Sequence, residues 1–192
     1  METVLLVAVW LFALTHLDTF VVIVAFLTDV EYRRSEVLLG HYAGFGVGLT
    51  GAILGALFAA GVLGEWTVLL GVVPLGMGVY GLLVRHPETE FTEPTPLSGP
   101  TRRVGVVTAA GIGLSGENLA VFIPFFAGLT TAELALVVAL YLVSAGVLFV
   151  GALLAVAVLP TAEFPPWVDR WLVPTVLILV GLYVLGAGLV VQ

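Results

Sequence analysis

Asp18 and the pair Glu117-Asn118 are the residues of this sequence whose types and placement best suit chemistry. Asp18 lies near the middle of the first long apolar stretch, and Glu117-Asn118 lies near the middle of the fourth. A carboxylate at bilayer depth costs at least about 3 kcal/mol, so such residues usually mark a substrate or proton pathway. Carboxylate and amide oxygens suit a small divalent cation, and the same carboxylates can carry protons in exchange. We therefore expect a binding site for a cation or small solute at these residues.

The first stretch surrounds Asp18 with other polar side chains, in the order Thr15-His16-Leu17-Asp18-Thr19. On a helix, Thr15, Asp18 and Thr19 lie at i, i+3 and i+4, so their oxygens project from one face. His16 points to another side but lies within one turn. A nearby imidazole would shift the preference of the site towards borderline metals.

The fourth stretch has a similar polar set. Ser115 and Asn118 share a helical face, and Glu117 is about 100° from Asn118. Three glycines at 111, 113 and 116 weaken the helix, and Pro124 removes a backbone donor further on. A local break would add backbone carbonyls as ligands. The expected metal ligands are Asp18, Glu117 and Asn118, with Thr15, Ser115, His16 and Thr19 around them.

Three other residues are weaker candidates for the pathway: His41, Tyr42 and Tyr141. An interfacial histidine and packed tyrosines with satisfied hydroxyls are the alternatives. For the buried carboxylates, the alternative is that they only tie helices together by hydrogen bonds. The cost of placing them in the bilayer favours a functional role.

The composition is that of an integral membrane protein. Sixty per cent of the 192 residues are hydrophobic and 10% are charged, whereas soluble domains are about a quarter charged. A span needs roughly 20 apolar residues, and six such stretches occur. They are 3–28, 36–61, 66–84, 103–127, 132–159 and 168–190. The predicted fold is all-α, with six transmembrane helices and no permanently bound cofactor. Because lysine and cysteine are absent, the chain has neither a Walker A loop nor thiolate ligands.

The loops after spans 1, 3 and 5 lie on one face of the membrane. All six arginine and lysine positions are in these loops or beside them: Arg33, Arg34, Arg85, Arg102, Arg103 and Arg170. The positive-inside rule makes this face cytoplasmic and places both termini outside a plasma membrane. The net charge of −7 argues against nucleic acid as a partner. The expected partners are the lipid bilayer, a transported cation and protons.

A Pro- and Glu-rich segment at 86–102 divides the chain into halves, 1–85 and 103–192. We expect a flexible cytoplasmic linker there. Each half has three spans, so any homology between the halves makes an inverted repeat. Leu14-Thr15-x-x-Asp18 matches Leu114-Ser115-x-x-Asn118, and Val73-Pro74 matches Val173-Pro174, both at an offset of 100 residues. Such repeats place substrate sites between them.

Span 2 has glycines four residues apart: Gly40, Gly44 and Gly48, then Gly51 and Gly55. They share a helical face and allow close helix–helix contact. We expect this contact inside the bundle, with a homodimer interface as the alternative.

These residues resemble the cadmium-resistance transporter family, part of the lysine-exporter superfamily. The family's Asn-x-Asp-Asp motif corresponds to His16-Leu17-Asp18-Thr19, and its Gly-Asp-Asn motif followed by Ile-Pro corresponds to Gly116-Glu117-Asn118 with Ile123-Pro124. The agreement in the order of elements extends over nearly the whole chain. His16 and Thr19 depart from the family residues, and Glu117 is a longer carboxylate. The resemblance implies export of a divalent cation such as Cd²⁺ or Zn²⁺ against protons.

Three alternatives remain. An amino-acid exporter of the same superfamily would hold an ammonium group with the acidic pair. An intramembrane serine protease would use the Gly-Leu-Ser-Gly at 113–116, but span 6 holds no histidine to serve as its base. A membrane scaffold protein with no transport activity would not explain why two carboxylates lie within the spans.

Overall fold

The computed structural model describes residues 1–63, 69–83 and 99–158, together with isolated positions between 175 and 186. Regular structure in these residues is helical. The helices are α1 (Glu2–Thr15), α2 (Leu17–Thr28), α3 (Arg34–Leu63), α4 (Val72–Leu83), α5 (Pro100–Ala127) and α6 (Thr131–Val158). The prediction of an all-α chain is confirmed for the described part.

Within the described part of the chain, two helices, α3 and α6, are long and apolar enough to cross a membrane individually. Two bent pairs bring the number of candidate spans to four: α1 with α2, and the two parts of α5. These four correspond to predicted spans 1, 2, 4 and 5. Of predicted span 3, α4 supplies twelve residues. Most of predicted span 6 and of the linker lies outside the described residues.

Span 1 is bent by 51° at His16, where α1 ends and α2 begins. His16 has φ −113° and ψ 19°, away from helical values. The backbone N–H of Thr19 is bonded to the Asp18 carboxylate at 2.6 Å, which takes it away from the helical ladder. The prediction of one continuous helical face through Thr15, Asp18 and Thr19 is therefore wrong.

Span 4 bends at the corresponding place in the second half. The two parts of α5, Pro100–Gly116 and Asn118–Ala127, meet at 63°. Glycine-rich sequence precedes the bend, and glycine lowers helix stability by up to about 1 kcal/mol per residue. The expectation of a weakened helix near residues 111–116 agrees with this geometry.

Helix α3 packs along α5 through the glycine face. A β-carbon at Gly44 would meet the carbonyl oxygen of Thr108 at 2.8 Å and the Cα of Gly111 at 3.0 Å. Gly48 lies against Ser115, and Gly55 lies against Ile123. The predicted use of these glycines for packing inside the bundle is confirmed.

Helix α6, from the second half of the chain, packs against α2 and α1, from the first half. The buried core forms two clusters. The first is built mainly on α1, the second part of α5 and the middle of α3 and α6, including Phe12, Phe45, Phe122, Phe126 and Tyr141. The second is built on α2, the first parts of α3 and α5 and the later part of α6, including Ile23, Phe26, Val37, Val107 and Phe149. The bends of spans 1 and 4 lie between them.

A charged tie joins α3 to α5 near their N-terminal ends. Arg103 donates from Nε and Nη2 to the two carboxylate oxygens of Glu36, each at 2.8 Å. Glu36 also accepts the backbone N–H of Arg33 at 2.9 Å, so it caps the start of α3. Such two-point pairing fixes orientation as well as distance.

Candidate functional site at the bends of spans 1 and 4

The imidazole of His16 is held at the end of α1 by two oxygen atoms. Nδ1 lies 3.0 Å from the carbonyl oxygen of Phe12 and 3.1 Å from the hydroxyl oxygen of Thr15. A carbonyl can only accept a hydrogen bond, and the Thr15 hydroxyl donates its own hydrogen to Leu11 at 2.8 Å. Nδ1 therefore carries the proton, and Nε2 is the basic nitrogen.

Aromatic rings hold the imidazole in place. Phe12 stacks on it with centroids 4.1 Å apart and planes 11° apart, and Phe122 lies beyond at 5.9 Å. Phe45 meets it edge-on at 5.6 Å. The His16 residue is only 2% exposed. The ring therefore has a fixed orientation between α1, α3 and α5.

His16 lines a small cavity with Ser115 and Asn118, which come from the bend of span 4. The cavity measures about 10 Å³, the room that one water molecule needs. Asn118 is 8% exposed, so its amide is also buried. The sequence predicts that His16 points to another side than Thr15, Asp18 and Thr19, and in the structure its ring lies beside the span 4 residues Ser115 and Asn118.

Thr15 and Ser115 make the same local hydrogen bond, one in each bent span. The Thr15 hydroxyl donates to the carbonyl of Leu11, and the Ser115 hydroxyl donates to that of Gly111 at 2.7 Å. Hydrogen bonds from a side-chain hydroxyl to the backbone carbonyl four residues earlier often bend helices. Because the only hydroxyl hydrogen of Ser115 is used in this way, His16 does not receive it as a catalytic base would.

Asp18 and Thr19 lie just after the first bend. Asp18 is half-buried and accepts the backbone N–H and the hydroxyl of Thr19, at 2.6 Å and 3.3 Å. Thr19 lines a second small cavity with His41 and Gly111. The side chain of Glu117 lies outside the described residues. Among the side chains that are described, no three of the His, Asp and Glu type come close enough to hold a metal ion.

The three pathway candidates have different surroundings. His41 is buried, and its Nε2 donates to the carbonyl of Ala145 on α6 at 3.2 Å. Tyr42 is partly exposed and donates to the carbonyl of Leu142 on the same helix at 3.2 Å. Tyr141 is fully buried, and its hydroxyl has no hydrogen-bond partner among the described atoms.

The aromatic residues around the site were not predicted from the sequence. Phe12 precedes His16 by four residues, Phe45 follows His41 by four, and Phe122 follows Asn118 by four. Residues four apart lie on one helical face, so this spacing was the available signal.

Comparisons with known proteins give one result. Searches of the curated proteins and of the solved structures return no significant match. A family model described as "Cadmium resistance transporter" matches residues 12–191, which includes both bends and nearly the whole chain. The chain belongs to the cadmium resistance transporter family.

Proposed function

We propose that this protein is a secondary active transporter that exports a divalent metal cation, Cd²⁺ or Zn²⁺, in exchange for protons. Membership of the family indicates metal ion export. The observation that carries the proposal is the meeting of two bent spans at one cavity. His16 comes from the bend of span 1, and Ser115 and Asn118 come from the bend of span 4.

The metal ligands in this proposal are Asp18, Glu117 and Asn118. Asp18 follows the first bend directly, and Glu117 lies between the two parts of α5. Discontinuous helices in transporters bind ions at such places because the interrupted backbone adds carbonyl ligands. Intramembrane carboxylates are costly unless they have a function of this kind.

The exchange mechanism rests on two inverted repeats that rock against each other. Two observations support the repeat. Thr15 and Ser115 make equivalent hydrogen bonds at an offset of 100 residues. The packing is also paired, because α3 packs on the bent span α5 and α6 packs on the bent span α1–α2.

The proposed orientation places the arginine-bearing face in the cytoplasm of the cell and both termini outside. The pair Arg103–Glu36 would then lie near the cytoplasmic ends of α3 and α5. A transporter with this orientation in the plasma membrane would bind its cation from the cytoplasm.

The test is metal flux in proteoliposomes with Asp18→Asn and Glu117→Gln, which remove one charge each at the proposed site. The matched control is Glu31→Gln, which removes one charge from an exposed residue of the loop after span 1. We expect metal-driven flux to be lost in the first two variants and kept in the third. Undiminished flux in both site variants would overturn the proposal.

The amino-acid exporter is separated by a binding experiment. The cavity has room for about one water-sized group, which favours a single ion over an amino acid. Metal ions, and not lysine, should therefore raise the melting temperature of the purified protein, since a ligand stabilises the state that it binds. Stabilisation by lysine alone would favour the exporter of amino acids.

A further inference from the structure

We propose that His16 is itself a ligand of the transported cation, through Nε2, and that it selects borderline ions such as Zn²⁺ over hard ions such as Mn²⁺ and Mg²⁺. This inference rests on the proposed function and names the class of cation that the site prefers. The His16 ring is oriented by two oxygen atoms at the end of α1, from Phe12 and Thr15.

The orientation follows from the tautomer. Nδ1–H is directed at the carbonyl of Phe12, 3.0 Å away, and the Thr15 oxygen lies 3.1 Å from the same nitrogen. The lone pair of the ring is therefore on Nε2. Histidine ligands in metal sites commonly use one nitrogen for the metal while the other donates to a carbonyl or carboxylate, which fixes the ring and raises its basicity. His16 has this second bond in place.

The surroundings of the ring argue against a purely structural role. Phe12 stacks on it at 4.1 Å, and Phe45 and Phe122 enclose it further. A polar imidazole is costly to bury, and an apolar side chain would fill this aromatic enclosure at lower cost. The ring borders the cavity that Ser115 and Asn118 also line. A cation in that cavity would lie beside the ring.

The chemistry of the donors sets the class of ion. Imidazole nitrogen suits zinc, copper, nickel and iron, whereas carboxylate, carbonyl and water oxygens alone suit magnesium, calcium and manganese. The chain has no cysteine, so no thiolate can supply the preference for a borderline ion. His16 is also the histidine that lines the cavity beside Asn118. Discrimination against Mn²⁺ and Mg²⁺ would thus depend on this one nitrogen.

The test compares Zn²⁺ and Mn²⁺ binding to the purified, detergent-solubilised full chain by titration calorimetry. The variants are His16→Asn and His16→Gln, with His86→Asn as a control for the same chemical change between α4 and α5. We expect Zn²⁺ affinity to fall at least about tenfold in both His16 variants. Mn²⁺ affinity should change by less than about threefold, because its oxygen ligands remain.

X-ray absorption at the zinc edge gives a readout independent of affinity. The wild-type complex should show the outer-shell scattering of an imidazole ligand, and His16→Asn should lack it while His86→Asn keeps it. Thermal melts establish that each variant is folded; if His16→Asn does not fold, His16→Gln carries the same comparison.

The outcomes separate this inference from the proposed function. Imidazole scattering and Zn²⁺ affinity that persist in a folded His16 variant would overturn the role of His16 and leave metal transport intact. A wild-type protein that binds neither ion would overturn both. Loss of Zn²⁺ and Mn²⁺ binding together in the His16 variants would show that the ring does not select between them, and would overturn the inference.

Discussion

The contact between α3 and α5 can be tested by adding a single methyl group at Gly44. The β-carbon of an alanine there would lie 2.8 Å from the carbonyl oxygen of Thr108 and 3.0 Å from the Cα of Gly111. Both neighbours are backbone atoms, so no side chain can rotate to make room. Ordinary contacts of this kind are about 3.5–4.0 Å, and the helices must separate by roughly 0.5–1 Å.

The cost follows from this separation. A gap of about 0.5–1 Å forfeits a quarter to a half of the dispersion energy of each contact along the interface. Overpacking of a well-packed core typically costs about 1–3 kcal/mol. For a chain of this size, 1 kcal/mol corresponds to roughly 2–4 °C in melting temperature. Gly44→Ala should therefore melt about 2–12 °C below the wild type.

The matched control is Gly46→Ala, two residues along the same helix. A β-carbon at Gly46 has no neighbour within 4 Å. Alanine is also the better helix former by about 0.5–1 kcal/mol, so this variant should melt at or slightly above the wild-type temperature. Fluorescence-detected melts of both proteins in the same detergent give the comparison. Equal melting temperatures for the two variants would refute the close α3–α5 contact.

Three further predictions concern single contacts. Arg103→Lys and Glu36→Gln should each lower the melting temperature. In a double-mutant cycle their effects should not add, because both variants break the same two-point ion pair. Additive effects would contradict the pairing. Tyr141→Phe should leave the melting temperature unchanged or raise it, since it removes a buried hydroxyl that lacks a partner among the described atoms; a clear fall in the melt would count against this. Thr15→Val should weaken Zn²⁺ binding about tenfold in calorimetry by removing an oxygen that orients His16, while Thr15→Ser should not; equal affinities in the two variants would argue against that role.

Features that depend on short-range spacing were predictable from the sequence. The glycines four apart in span 2 share a helical face by geometry alone, and they form the contact with α5. The glycine-rich stretch before Glu117 likewise indicated a weak helix, and the bend of 63° follows it directly. These inferences need only the helical repeat and the backbone properties of glycine.

The break at His16 was not predictable in the same way. Neither glycine nor proline occurs between Thr15 and Thr19. The break involves side chains that compete with the helical ladder, since Asp18 captures the N–H of Thr19 and Thr15 bonds back to Leu11. On a straight helix, His16 would point away from Thr15, Asp18 and Thr19. In the structure, the chain bends at His16 and the ring lines a cavity with Asn118. The position of this candidate ligand depends on tertiary structure.

The charged tie was missed for a different reason. Arg103 and Glu36 are 67 positions apart, and a charge pattern alone does not indicate which partners meet. From the sequence, the arginines predict only the orientation of the chain in the membrane. Their pairing depends on the packing of α3 along α5, which brings the starts of the two helices together.

The division of span 1 into two short helices has an electrical consequence. At 1.5 Å per residue, the 14 residues of α1 and the 12 of α2 extend about 21 Å and 18 Å, so in the spanning arrangement that we propose their junction would lie near half the depth of a bilayer. A divalent ion that reaches the junction from one side crosses about half of the transmembrane voltage. This equals one full charge, or about 2.3 kcal/mol for each 100 mV. At a potential of about 100 mV, the apparent affinity of the site would then differ about 50-fold from that in a depolarised vesicle.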